Sequence, residues 1–157
     1  AGVGIGWAKP TPVNFANLRN GRAGEAMVAA AGPVSNVLLA IAGGVVFRIL
    51  FSIMANSAAD ASPGREALLE IVYLFVAINV SLFIFNLIPV PPLDGTRVLL
   101  AFLPPRVAYK YEPLLYQYGA YVLLALIFIP YLLHIDGPLQ FVFTNIGTPI
   151  VNLITGL

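Results

Sequence analysis

Cysteine is absent from the 157 residues, histidine occurs once, and Asp, Glu, Lys and Arg together make up only 10%. Without cysteine there is no disulfide framework and no thiolate metal site, so a bound metal must be held by histidine, aspartate or glutamate. The charge deficit excludes most soluble classes, because an ordinary soluble domain has roughly a quarter of its residues charged. With a net charge of +1 and its basic residues scattered, the chain has no nucleic-acid signature, and no nucleic acid is expected among its partners. It also lacks an initiator Met, a basic-then-apolar leader, internal repeats and any linker long enough to divide it. Residues 1–157 therefore read as a single membrane-embedded domain.

What is present is apolar, at 59%. The few charges cluster and leave uncharged tracts at 71–90, 113–133 and 138–157, each near the ~20 residues that cross ~30 Å of hydrocarbon as a helix. A fourth tract, 26–47, is interrupted by Pro33, Ser35 and Asn36 and ends at Arg48, a residue able to snorkel to the interface. The expected fold is an all-α multi-pass membrane protein with about four transmembrane helices, at 25–54, 66–88, 112–133 and 138–155. Residues 1–24, where Gly2, Gly4 and Gly6 precede Pro10 and Pro12, read as a glycine-rich re-entrant or extended loop. Residues 89–103 read as a proline-broken segment followed by a short helix, and 104–112 as a basic loop. Lys and Arg favour short cytoplasmic loops. Lys9, Arg19 and Arg22 precede the first span, and Arg97, Arg106 and Lys110 lie between the second and third. The expected orientation puts both chain ends and the 89–103 segment on the cytoplasmic side of a prokaryotic plasma membrane.

The segment "NLIPVPPLDGTRV", Asn86 to Val98, places a carboxylate directly after a greasy span. A charge at the centre of a transmembrane helix costs about 2.5–3.5 kcal/mol on insertion scales, so such a residue faces protein or water and often marks function. Pro89, Pro91 and Pro92 remove backbone donors and break the helix, exposing carbonyls that need protein or water as partners. Gly95 then allows a turn or a close approach. The local residues leave two readings of Asp94 open: a functional carboxylate, or a cap on the N–H groups of the following helix.

"FNLIPVPPLDGTRVL" resembles the Asn-x-x-Pro-x-Pro-x-Leu-Asp-Gly signature of the site-2 protease family of intramembrane zinc metalloproteases, in particular its small prokaryotic members. "GIGWAKPTPVN" and "AAGPVSN" are similar to segments of the same proteins, so three motifs match in order. The resemblance implies a Zn2+ cofactor with Asp94 as a ligand, and Asn86 engaging the substrate backbone. It also marks Pro89, Pro92, Leu93, Gly95, Gly32 and Pro33 as motif positions, and Asn36 as facing substrate or water from a helix that flanks the cleft. The family's His-Glu-x-x-His helix, which carries two further ligands and the general base, is missing from these residues. The expectation is a C-terminal portion of the enzyme, inactive alone, with the catalytic helix upstream. The implied activity is hydrolysis of peptide bonds in or near transmembrane segments of substrate proteins in the lipid bilayer. "GVGIGW", with Gly4 and Gly6, is a candidate edge strand for an unwound substrate. Homo-oligomer formation is left open. The alternative is a non-catalytic membrane protein, a degenerate relative or a transport or regulatory subunit, that binds a ligand at the broken helix.

Other candidates read as structural. His134 falls at the far end of the third span, away from Asp94. Asn36, Ala40 and Gly44 recur at helical spacing and form a packing seam. Glu70 and Asn79 require only solvent or interhelical bonds, and Tyr109, Tyr111, Tyr116, Tyr118 and Tyr121 read as interfacial anchors. The Gly2-x-Gly4-x-Gly6 spacing lacks the third glycine of a dinucleotide fingerprint.

Overall fold

A computed structural model describes residues 21–56 and 63–157. They form α1 (Gly21–Ala55), α2 (Pro63–Leu87), α3 (Asp94–Phe102), α4 (Pro105–Leu133), α5 (Pro138–Val142), a π-helical turn (Phe143–Gly147) and α6 (Thr148–Thr155). Among the described residues there is no strand, and α1, α2 and α4 are each long and apolar enough to cross a membrane. The protein is an all-α, multi-pass membrane protein. The 1–24 loop expected from sequence, with Gly4 and Gly6, lies almost wholly outside the described residues.

α1 and α2 form the central hairpin. On α1 the buried positions Ala29, Pro33, Ala40, Gly43, Gly44 and Phe47 fall one or two helical turns apart, with Gly43 and Gly44 adjacent, and make one inner stripe. The small residues let the backbones approach: Gly43 faces Phe75 and Val76 of α2. The expected seam is present, with Ala40 and Gly44 buried and Asn36 half-buried. Ala40, Val76, Val80, Ile84 and Val151 form the core, so α6 closes the third side. The opposite faces, with Leu38, Ile41 and Val45 on α1 and Ile71, Leu74 and Ile78 on α2, are exposed and apolar. That is the pattern of helices solvated by lipid rather than water.

Three boundaries differ from the sequence expectation. The segment 104–112 is not a loop. Its residues from Pro105 onward are the first turns of α4, because Pro105 fits a first helical turn where no N–H is needed. The 138–155 stretch is helical but forms no fourth long, regular helix. Pro149 cannot donate the next rung, and the Thr148 N–H bonds five residues back to Phe143 O, which opens the π turn.

The third difference concerns the C-terminal end. Gly147 lies beside Ile84, whereas Ile154 lies on Gly44, next to the Gly43 that packs on Phe75 and Val76. α6 therefore runs antiparallel to α2, and its end sits at Arg48, about 24 Å along α1 from Gly32 at 1.5 Å per residue. The C-terminal end is thus far from Asp94, not on its side of the bundle. Arg48 does not snorkel outward: its Nε donates to Ile154 O at 2.9 Å and its Nη2 to Leu153 O. A guanidinium is the natural partner there, since the last carbonyls of a helix are unsatisfied and carry partial negative charge.

Candidate functional site

The break between α2 and α3 follows from its prolines. With no N–H at 89, 91 and 92, the helical ladder ends, and short turns replace it: Val90 N–H to Ile88 O at 2.8 Å and Leu93 N–H to Val90 O at 3.0 Å. α3 then restarts at Asp94, with Thr96 N–H bonded to Leu93 O at 3.2 Å. Gly95 makes the restart possible. A Cβ at this position would run into the Leu87 carbonyl, so only glycine lets the start of α3 lie against the carbonyl end of α2.

Asp94 is half-buried and lies outside the three spanning helices. A Cβ built on Gly32 would lie 3.2 Å from Asp94 Oδ2, so α1 passes close to the carboxylate. The "AAGPVSN" and "LDG" motifs, 62 positions apart in the chain, are thereby brought together. The cap reading of Asp94 is not what the structure contains. The N-cap of α3 is Leu93, with no side-chain cap hydrogen bond, and Asp94 sits inside the first turn. Burial raises its carboxyl from the ordinary value, and the Arg97 guanidinium acts the other way.

Two amides lie on the helices that meet the Asp94 segment. Asn36, one turn beyond Gly32 on the inner stripe of α1, and Asn86, in the last turn of α2, are both half-buried. Neither side chain has a hydrogen-bond partner among the described residues. Asn79 and Asn145 instead back-bond to the carbonyls of Phe75 and Phe141, each at 2.8 Å. Pro33 and Leu93 are buried beside the site, while Pro89 and Pro92 are exposed on the loop.

The donor set was tested against zinc. A tetrahedral site takes three or four protein ligands, and no cluster of three His, Cys, Asp or Glu side chains exists among the described residues. A carboxylate such as Asp94 is of a type that zinc takes, but the described residues do not gather the number of ligands such a site needs. His134 caps α4 in a left-handed conformation, φ 53°, and is exposed.

Sequence reasoning passed over two features. Thr96 is 1% exposed and its hydroxyl has no hydrogen-bond partner among the described residues. Its placement two residues after Asp94, one helical turn from the buried Leu100, was the available signal. Gly119, buried in α4, meets Pro91, and no periodicity in either segment announces that pairing.

Comparison with known proteins adds a family. The model of "Peptidase family M50" matches residues 13–130. The chain is 36% identical over 128 residues to "Putative zinc metalloprotease YwhC" of Bacillus subtilis (strain 168), covering 82% of this chain and 57% of that protein. This chain thus spans little more than half the length of that relative. No solved structure matches.

Proposed function

This chain belongs to peptidase family M50, and on that premise we propose that it carries part of the active site of a zinc-dependent intramembrane endopeptidase. The observation that carries the reading is Asp94. It is a half-buried carboxylate at a proline-broken helix, pressed against Gly32 and freed from any capping duty.

Asp94 is one zinc ligand. The other ligands and the general base come from polypeptide outside these residues, for which the longer relative leaves room. Bound zinc supplies a Lewis acid and a low-pKa water. The rest is done by this chain's own groups. The Asn86 amide, with no partner among the described residues, donates to the carbonyl of an unwound substrate segment and holds it in place. Asn36 offers a second polar contact one turn from Gly32. The break at Pro89 and Pro92 opens the helix to water and admits the extended substrate. The substrates are transmembrane proteins, cut at the face of a prokaryotic plasma membrane where Asp94 looks toward the cytoplasm.

In the longer protein that contains this chain, Asp94→Ala abolishes cleavage of a model transmembrane substrate while leaving expression and helix content intact. Cleavage retained in that variant would end the assignment. The single-ligand count favours one other reading, a non-catalytic protein that binds an ion or peptide at the broken helix. Under it, the longer protein binds the substrate segment without cutting it.

A further inference from the structure

Glycines let neighbours close in on the Asp94 segment from three directions: Gly32 on α1, Gly95 against the end of α2, and Gly119 on α4. The first two lie in the family-like motifs; Gly119 does not. A Cβ built on Gly119 would meet Pro91 Cδ at 2.5 Å and Pro91 Cβ and Cγ at 2.9 Å, and both residues are buried. The ring of Pro91 is fused to its own backbone and cannot swing aside as the tip of a long side chain does. Pro91 also lies within the tight turn closed by Leu93 N–H to Val90 O, immediately ahead of Asp94. A push on the ring therefore passes through Pro92 and Leu93 to the carboxylate.

Among the described residues α4 has few other holds. As a backbone it approaches only its chain neighbours α3 and α5 among the described helices, and its side chains reach α1 at Arg22, which pairs with Glu112 at 3.2 Å and lies 4.3 Å from the Tyr109 ring centre. An open apolar groove of about 270 Å³, walled by Val90, Leu114, Tyr118 and Val122, adjoins the Gly119–Pro91 contact. The seat is thus narrow, and a side chain at 119 has no broad interface over which to spread its strain.

We propose that Gly119 is a positioning residue: it seats α4 on Pro91 and so fixes the loop that presents Asp94. This rests on the metal-ligand reading of Asp94 for its consequence, but not for its geometry. The absence of cysteine from the chain supplies the test, because Asp94→Cys becomes its sole thiol. Maleimide labelling of that thiol in membranes should change severalfold when Gly119→Val is added. It should return toward the parent rate when Pro91→Ala removes the ring atoms that the new side chain meets. Gly64→Val, at a site with open space around it, should leave the rate unchanged. In the longer protein with Asp94 intact, Gly119→Val should weaken zinc binding by about 10- to 100-fold, as loss of a ligand's supporting contacts does.

An unchanged labelling rate, or a change that Pro91→Ala does not reverse, overturns the proposal. Altered labelling with rescue, but unaltered zinc affinity, overturns the claim that the seat serves a ligand. If the parent protein binds no zinc, the functional reading fails, and the labelling result still decides whether Gly119 positions Asp94.

Discussion

Asp94 keeps a desolvated carboxylate beside Gly32, where a longer side chain would occupy the space next to its oxygen. Gly32→Ala places a methyl 3.2 Å from Oδ2, a contact relieved by a shift of a few tenths of an ångström. Gly32→Leu fills the approach outright. The expected outcome in the longer protein is near-normal zinc content for Gly32→Ala and loss of zinc for Gly32→Leu, with circular dichroism unchanged in both. Thr96 gives a second prediction at this scale. A buried hydroxyl without a partner costs about 1–3 kcal/mol, so Thr96→Val, which keeps the shape, should be neutral or stabilising by about 1 kcal/mol in thermal or denaturant unfolding. Destabilisation instead would reveal a partner for that hydroxyl beyond the described residues. Asp94 was legible in the sequence because a charge among prolines after an apolar run contradicts its surroundings. Gly119 was not: its role depends on Pro91, and contact between distant segments leaves no trace in the spacing of either.

Among the elements, α1 and α2 were the most legible, since an uncharged apolar run of this length has one stable form in a bilayer. The start of α4 was hidden by Arg106, Lys110 and Glu112, which read as a loop but lie on a helix that extends beyond the hydrocarbon; Pro105 was the overlooked start signal. The C-terminal stretch was read correctly as apolar, and its end was expected on the same side of the membrane as Asp94, whereas α6 ends at Arg48. Hydropathy carries no information on which helices pack, and here the pairing of Arg48 with the last carbonyls of α6 indicates where that helix ends. Arg48→Met keeps the apolar stem and removes both hydrogen bonds, which as bonds to a charged group are worth roughly 1.5–3 kcal/mol each. Faster amide exchange confined to α6, with the Asp94 segment unaffected, is the expected result. Exchange unchanged in α6 would show that its packing, through Ile154 on Gly44 and Val151 in the core, suffices alone.

At the scale of the whole molecule, three apolar helices and a membrane protease family frame a chain whose described residues hold one candidate ligand. The helical hairpin, the proline break and the three glycine contacts hold the Asp94 carboxylate, which under the proposed function is one ligand of a site that needs others. The most direct measurement is zinc content per chain in the longer protein, for the parent and for Asp94→Ala purified in parallel. The account predicts about one zinc in the parent and a loss of it in the variant. Equal zinc in both would contradict it.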